Sequence, residues 1–171
     1  MPTFAYILSL LGLVCMVTAS LVKGNRMTAI LIFVCLGNAL VATAYVLDGA
    51  VNGAISCYIG AAQTLINSLF ERRGKTLPIW LIVLYAAAFI GCNLAAGFSP
   101  LGLLAIVASL TFILCIGQKS GARYRFWTVV NMLLWCTYDV LSASYGALIT
   151  HTVLLTFTVV GMIVHDRKTA S

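Results

Sequence analysis

Charged residues are scarce in this chain. They make up 8% of its 171 residues, and only four residues are acidic, whereas 62% are hydrophobic and the mean hydropathy is +1.07. A soluble domain has about a quarter of its residues charged, because polar groups must cover its surface. The shortage of charge therefore excludes a soluble globular domain and predicts a protein that lives in a membrane.

Patterns that carry catalysis or bind metals are also missing. The six cysteines all lie in apolar runs without a CxxC spacing, which favours small buried hydrophobic residues over disulfides or zinc ligands. The chain has no nucleophile motif and no phosphate-binding glycine loop, and its two histidines, His151 and His165, lie apart. The sequence predicts a protein that is not an enzyme and that uses no cofactor and no metal.

Seven apolar segments follow one another along the chain, each close to the ~20 residues that cross about 30 Å of hydrocarbon. They are residues 4–22, 27–47, 51–70, 77–96, 101–117, 126–143 and 147–164. The first segment has no basic residue before it and is longer than the apolar core of a signal peptide, so we interpret it as a true span. The predicted fold class is an all-α integral membrane protein with seven transmembrane helices.

The basic residues indicate how these spans are oriented. If the chain crosses the membrane seven times, all ten fall on one side: Lys23, Arg26, Arg72, Arg73, Lys75, Lys119, Arg123, Arg125, Arg167 and Lys168. The breaks on the other side contain no Lys or Arg, and their only charged residue is Asp48, at the end of the second span. Because short loops rich in Lys and Arg stay in the cytoplasm, the N-terminus is predicted outside and the C-terminus inside. This placement explains the net charge of +6 without nucleic acid.

The first and second halves of the chain resemble each other in sequence. At a constant offset of 93 residues, Asn38 aligns with Asn131 and Tyr45 with Tyr138, and rare residues and loop positions match as well. Spans 1–3 therefore repeat as spans 5–7, and the single connecting span gives both halves the same orientation. The predicted organisation is a first three-helix repeat (1–75), a connector helix (76–99), and a second parallel repeat with a cytoplasmic tail (100–171).

The sixth span carries a polar stripe on one helical face. Asn131, Trp135, Tyr138 and Asp139 follow each other at helical spacing. Polar groups are costly in hydrocarbon, so the stripe is predicted to face other helices or a wet cavity. Asn131 and its counterpart Asn38 could bind a hydroxylated or amide solute, and the two aromatic rings could stack on a flat one. The alternatives are a helix–helix hydrogen bond worth about 1 kcal/mol and ordinary packing.

Asp139 and His151 lie at similar depth, six residues before and six residues after Tyr145. This places each about 9 Å along its helix from the turn. The pair is interpreted either as a substrate-contacting or proton-coupled site, or as a structural hydrogen bond between two helices. The predicted substrate-binding residues are Asn38, Asn131, Trp135, Tyr138, Asp139 and His151.

Local sequence adds a family resemblance. The stretches TYDVLSASYGALITHT (137–152), GMIVHDRK (161–168) and GNALVATAYVLDGAVNGAISCYIGAAQTLI (37–66) resemble the YgjV family of bacterial inner-membrane proteins. The layout of three, one and three spans is similar to that of SWEET, PQ-loop and PnuC-like transporters. Because the only prolines are Pro2, Pro78 and Pro100, helix bending at prolines within the spans does not carry over. The resemblance implies the fold and the inner membrane, but no substrate.

These observations lead to one expected function and two alternatives. We expect a multi-pass protein of the bacterial cytoplasmic (inner) membrane that moves a small polar solute by alternating access. The first alternative is a non-transporting scaffold that binds another protein or a lipid. The second is an intramembrane enzyme that uses Asp139 and His151. The expected partners are the lipid bilayer and a small polar solute but not nucleic acid, and the sequence leaves the formation of oligomers open.

Overall fold

The chain folds into helices. The computed structural model describes residues 2–21, 27–118 and 121–163, and within these ranges all regular structure is helical. The helices are α1 (Pro2–Leu21), α2 (Met27–Asp48), α3 (Val51–Arg72), α4 (Ile79–Ala95), α5 (Pro100–Ile116), α6 (Gly121–Leu141) and α7 (Tyr145–Gly161). The predicted all-α class with seven helices is confirmed.

The distribution of side chains is that of a protein surrounded by lipid. Large apolar side chains such as Val14, Val83 and Leu141 are exposed, whereas polar ones such as Gln63 and Asp139 are buried. Within the described residues two stretches are long and apolar enough to cross a membrane, Thr3–Ser20 and Thr28–Asp48, and α4, α5 and α7 are apolar but shorter. Polar side chains inside and apolar ones outside are what hydrocarbon favours.

One helix begins earlier than the span predicted from hydropathy. The sixth span was expected from residue 126, with Arg123 and Arg125 in the preceding break, but α6 already begins at Gly121. Ala122, Arg123 and Arg125 are good helix formers, so nothing in this stretch interrupts the helix. Hydropathy shows where a chain becomes apolar, whereas a helix can start wherever its backbone hydrogen bonds can form. Both arginines therefore lie on the first turns of α6.

The helices close into a ring. α1 packs on α2, α2 on α3, α3 on α5, α5 on α6, α6 on α7, and α7 returns to α1. α4 packs in the angle between α3 and α5 and reaches the interior through Phe89. In each half (α1–α3 and α5–α7) the middle helix contacts the other two, as a repeat requires. The repeat and the division into 1–75, 76–99 and 100–171 stay predictions.

The contact between α1 and α2 is very close. A Cβ atom added to Gly37 would lie 2.7 Å from Cγ of Met16 and 3.2 Å from the carbonyl oxygen of Gly12. One added to Gly12 would lie 2.8 Å from Cγ2 of Val41 and 3.2 Å from the carbonyl oxygen of Gly37. Small residues that let two backbones approach each other are typical of helix contacts in membranes. The two glycines therefore determine the distance between these helices.

Candidate functional site

A buried layer of polar and aromatic side chains crosses the ring near one end. We call this end the turn end, because the α2–α3 and α6–α7 turns lie there; the other, the basic end, carries Arg72, Arg73 and Lys75. The layer, named the Asp139 layer below, consists of Tyr45, Trp135, Tyr138, Asp139 and His151. All five side chains are buried, and that of Asp139 is 0% exposed.

The α6–α7 turn brings the acid and the histidine together. The backbone amides of Ser142 and Ser144 donate to the carbonyl oxygens of Tyr138 (2.8 Å) and Asp139 (2.9 Å), so the chain reverses within three residues. α7 then runs back along α6 and places His151 beside Asp139. Their similar depth, predicted from the spacing around the turn, is what lets the two side chains meet.

Both oxygens of the Asp139 carboxylate are occupied. Oδ1 accepts a hydrogen bond from the hydroxyl of Tyr45, which comes from α2 in the other half of the chain. Oδ2 lies 2.7 Å from Nδ1 of His151 on α7. A buried carboxylate is tolerated when its oxygens accept such bonds. Asp139 is therefore the point at which α2, α6 and α7 are joined.

Aromatic rings fill the space around this network. The indole of Trp135 stacks on the imidazole of His151, with ring centroids 5.8 Å apart and an interplanar angle of 28°. Tyr138 meets Trp135 edge-on at 5.4 Å, and its hydroxyl accepts a hydrogen bond of 2.8 Å from the backbone amide of Gly53. A Cβ atom at Gly53 would lie 3.0 Å from the Tyr138 ring, so any larger residue would require the ring to move by a few tenths of an ångström. The rings and hydroxyls therefore pack closely around the Asp139 hydrogen bonds.

A cavity of about 100 Å³ extends from the Asp139 layer toward the basic end. Trp135 and His151 form one end of it, and Gln118 and Arg125 lie at the other. A single water molecule needs roughly 10–15 Å³ of such space, so the cavity is large enough for several waters or a small solute. A separate and more open recess of about 380 Å³, lined by Asp48, Asn52, Ser99, Tyr138 and Ser142 among others, lies at the turn end. The Asp139 layer separates the two spaces.

The two predicted carboxamides line this cavity in different ways. Nδ2 of Asn131 donates to the carbonyl oxygen of Ala108 (2.6 Å) and to Oγ1 of Thr111 (2.9 Å), so it ties α6 to α5. No described group donates to its Oδ1. Asn38 is buried, and its Nδ2 has no hydrogen-bond partner. Asn131 is therefore partly a structural tie, whereas Asn38 has a free donor beside the cavity.

The predicted residues thus divide into two groups. Asn38, Asn131, Trp135 and His151 line the cavity, whereas Tyr138 and Asp139 do not appear among its lining residues and lie in the layer behind it. Sequence reasoning left out Tyr45, although its alignment with Tyr138 could have pointed to it. It also left Arg125 in a loop, although extending the α6 stripe back by helical spacing through Thr128 would have reached it.

Among the described residues, three hydrogen bonds join the two halves directly, and all three lie toward the turn end. They are Tyr45 to Asp139, the Gly53 amide to Tyr138, and Thr150 Oγ1 to the carbonyl oxygen of Ser9 (3.0 Å). Toward the basic end the cavity lies between the halves. Among the described residues the direct hydrogen bonds between the halves thus lie at one end, whereas toward the other end the halves meet through apolar packing of Phe112 against Ala19, Ile30 and Val34, beside the cavity.

Metal ligands do not gather in the described ranges: no three His, Cys, Asp or Glu side chains lie close enough to hold an ion. A family model described as Imp-YgjV, bacterial inner membrane protein, matches residues 3–169, which confirms the resemblance found in the sequence. Comparison with curated proteins and with solved structures found no match.

Proposed function

We propose that the chain, which belongs to the Imp-YgjV family of bacterial inner membrane proteins, binds a small polar solute in its cavity and carries it across the membrane by alternating access. The observation that carries this proposal is a cavity with free polar groups in the middle of a bundle whose outside is apolar. Polar groups inside a membrane protein are expensive and mark solute pathways. The proposal assigns no catalytic step.

The cavity wall suits a neutral solute with hydroxyl or amide groups. Asn38 offers an unpartnered donor and Asn131 offers an acceptor, while Trp135 and His151 present ring faces. A buried donor without a partner costs about 1–3 kcal/mol, which a solute that accepts its hydrogen bond would recover. A few convergent polar groups in an otherwise apolar pocket are typical of small-molecule sites.

The two ends of the bundle support the transport part of the proposal. The three hydrogen bonds between the halves would form the closed gate, and the end toward which the cavity extends would be the side from which solute enters. Two parallel repeats, 1–75 and 100–171, joined by the connector 76–99, could rock against each other to reverse this arrangement. In the orientation proposed next, the side from which solute enters faces the cytoplasm.

The proposed orientation places the N-terminus outside and the basic end in the cytoplasm, because all ten Lys and Arg residues belong to that side. In a background without native cysteines, we expect Asp48→Cys to react with an impermeant maleimide added to whole spheroplasts. Ser171→Cys should react only after permeabilisation. The opposite labelling pattern would overturn the orientation.

Asn38→Ala tests the binding site. Using solutes selected from a panel of polar metabolites by thermal shift, we expect the variant to bind at least about tenfold more weakly, the equivalent of one hydrogen bond. Asn52→Ala removes a carboxamide from the recess at the turn end and should leave the affinity unchanged. Unchanged affinity in Asn38→Ala would contradict the site, and a stoichiometric protein partner without any solute would favour a scaffold.

A further inference from the structure

We propose that Asp139 and His151 form a proton-binding site that is loaded from the cavity through Nε2 of His151. The inference deepens the proposed function, on which it rests for its role in transport, because it names the proton as a second ligand of the same cavity. The step itself is simple: a proton leaves water in the cavity and binds the lone pair of Nε2.

The hydrogen bonds determine which nitrogen is available. Oδ2 of Asp139 lies 2.7 Å from Nδ1 of His151. The proposal takes Asp139 as ionised, in which case its carboxylate can only accept and Nδ1 carries the hydrogen. In a neutral imidazole the other nitrogen, Nε2, is then an acceptor. No described group is bonded to Nε2, and His151 lines the cavity. Nε2 is therefore the atom of this network that a proton in the cavity can reach.

Uptake of that proton changes the net charge of the buried pair. With a neutral imidazole and an ionised Asp139, whose side chain is 0% exposed, the layer carries one net negative charge. A proton on Nε2 turns the pair into a carboxylate and an imidazolium in contact, whose charges cancel.

Other titratable groups around the pair carry no charge near neutral pH. They are phenols and thiols: Tyr45 on α2, Cys57 on α3, Cys136 and Tyr138 on α6, and, further along the cavity, Cys115 on α5. The α1 phenol, Tyr6, lies beside Gly146 at the start of α7. Phenols and thiols ordinarily ionise well above the range in which imidazole titrates. Arg125 lies at the far end of the cavity. Among the described groups of the layer, this leaves the imidazole of His151 as the one whose free lone pair can bind a proton from the cavity.

The site is placed to act on the gate. The carboxylate that holds His151 also accepts the hydroxyl of Tyr45, and this bond is one of the three that join the two halves. Binding a proton at Nε2 therefore changes the charge balance at an interhalf contact. The proton and the closure of the turn end are coupled through a single carboxylate.

Nitrogen NMR of the imidazole tests the inference. The variant His165→Gln leaves His151 as the single histidine of the whole chain, which can be labelled with ¹⁵N. At high pH we expect the ring to carry hydrogen on Nδ1 and not on Nε2. As the pH is lowered, Nε2 should gain a proton in one step while the protein stays folded.

A control variant and two adverse results complete the test. Asp139→Asn should lose the preference for hydrogen on Nδ1, and if it fails to fold, the spectrum of His165→Gln alone still decides. Hydrogen on Nε2 in the neutral ring, or a ring that does not titrate before unfolding, would overturn the proton site. If His151 titrates but no solute in the panel binds, the transport proposal fails and the proton site stands. If a solute binds but His151 does not titrate, the proton site fails and the transport proposal stands.

Discussion

Asp139→Ala is expected to destabilise the protein by about 3–5 kcal/mol, the usual loss when one partner of a buried charged network is removed. The carboxylate accepts from Tyr45 and bonds His151, so its removal leaves a buried hydroxyl and a buried imidazole without partners. It also breaks the contact at which α2, α6 and α7 meet. Reversible unfolding in mixed micelles, followed by circular dichroism, measures the difference.

The control for this substitution is the carboxylate at the end of α2. Asp48 is exposed, and Asp48→Ala should change the stability by no more than about 0.5 kcal/mol, as for most surface substitutions. If Asp139→Ala were as stable as Asp48→Ala, the hydrogen bonds of the Asp139 layer would contribute nothing measurable to the fold. The layer would then be better explained by solute binding alone.

Gly37→Val is the second substitution expected to have a large effect. Its Cβ would lie 2.7 Å from Cγ of Met16, which is flexible, but also 3.2 Å from the backbone oxygen of Gly12, which is not. Two further methyl groups must then push α1 away from α2 along the closest contact between them. Overpacking of this kind costs about 1–3 kcal/mol, and occasionally more. The same unfolding measurement gives the value.

Gly91→Val is the matched control, because a Cβ at this position on α4 has no heavy atom within 4 Å. Valine suits a helix interior better than glycine, so this variant should be as stable as the parent or slightly more stable. An equal loss in both variants would mean that the general effect of valine, and not the α1–α2 distance, determines the result. A loss in Gly37→Val alone supports the close contact.

The candidate site shows how far spacing along a helix can be used. The α6 stripe was predicted to face inward, and the structure buries Asn131, Trp135, Tyr138 and Asp139. Spacing around a turn placed His151 beside Asp139. Residues that are equally far from a tight turn, one on each of the two helices it joins, lie at the same depth in the membrane. Spacing did not show that Asn131 would use both amide hydrogens on α5, since this depends on how α5 is rotated.

The sequence alone determined the membrane class, the number of helices and the inward face of α6. These are local properties: hydropathy and helical periodicity are set by neighbouring residues within one element. Only the tertiary structure decided that Tyr45 bonds Asp139 and that Asn38 keeps a free donor. Each of these outcomes depends on the rotation and register of helices from opposite halves of the chain. A difference of one residue in register turns a side chain by about 100° and changes its partner.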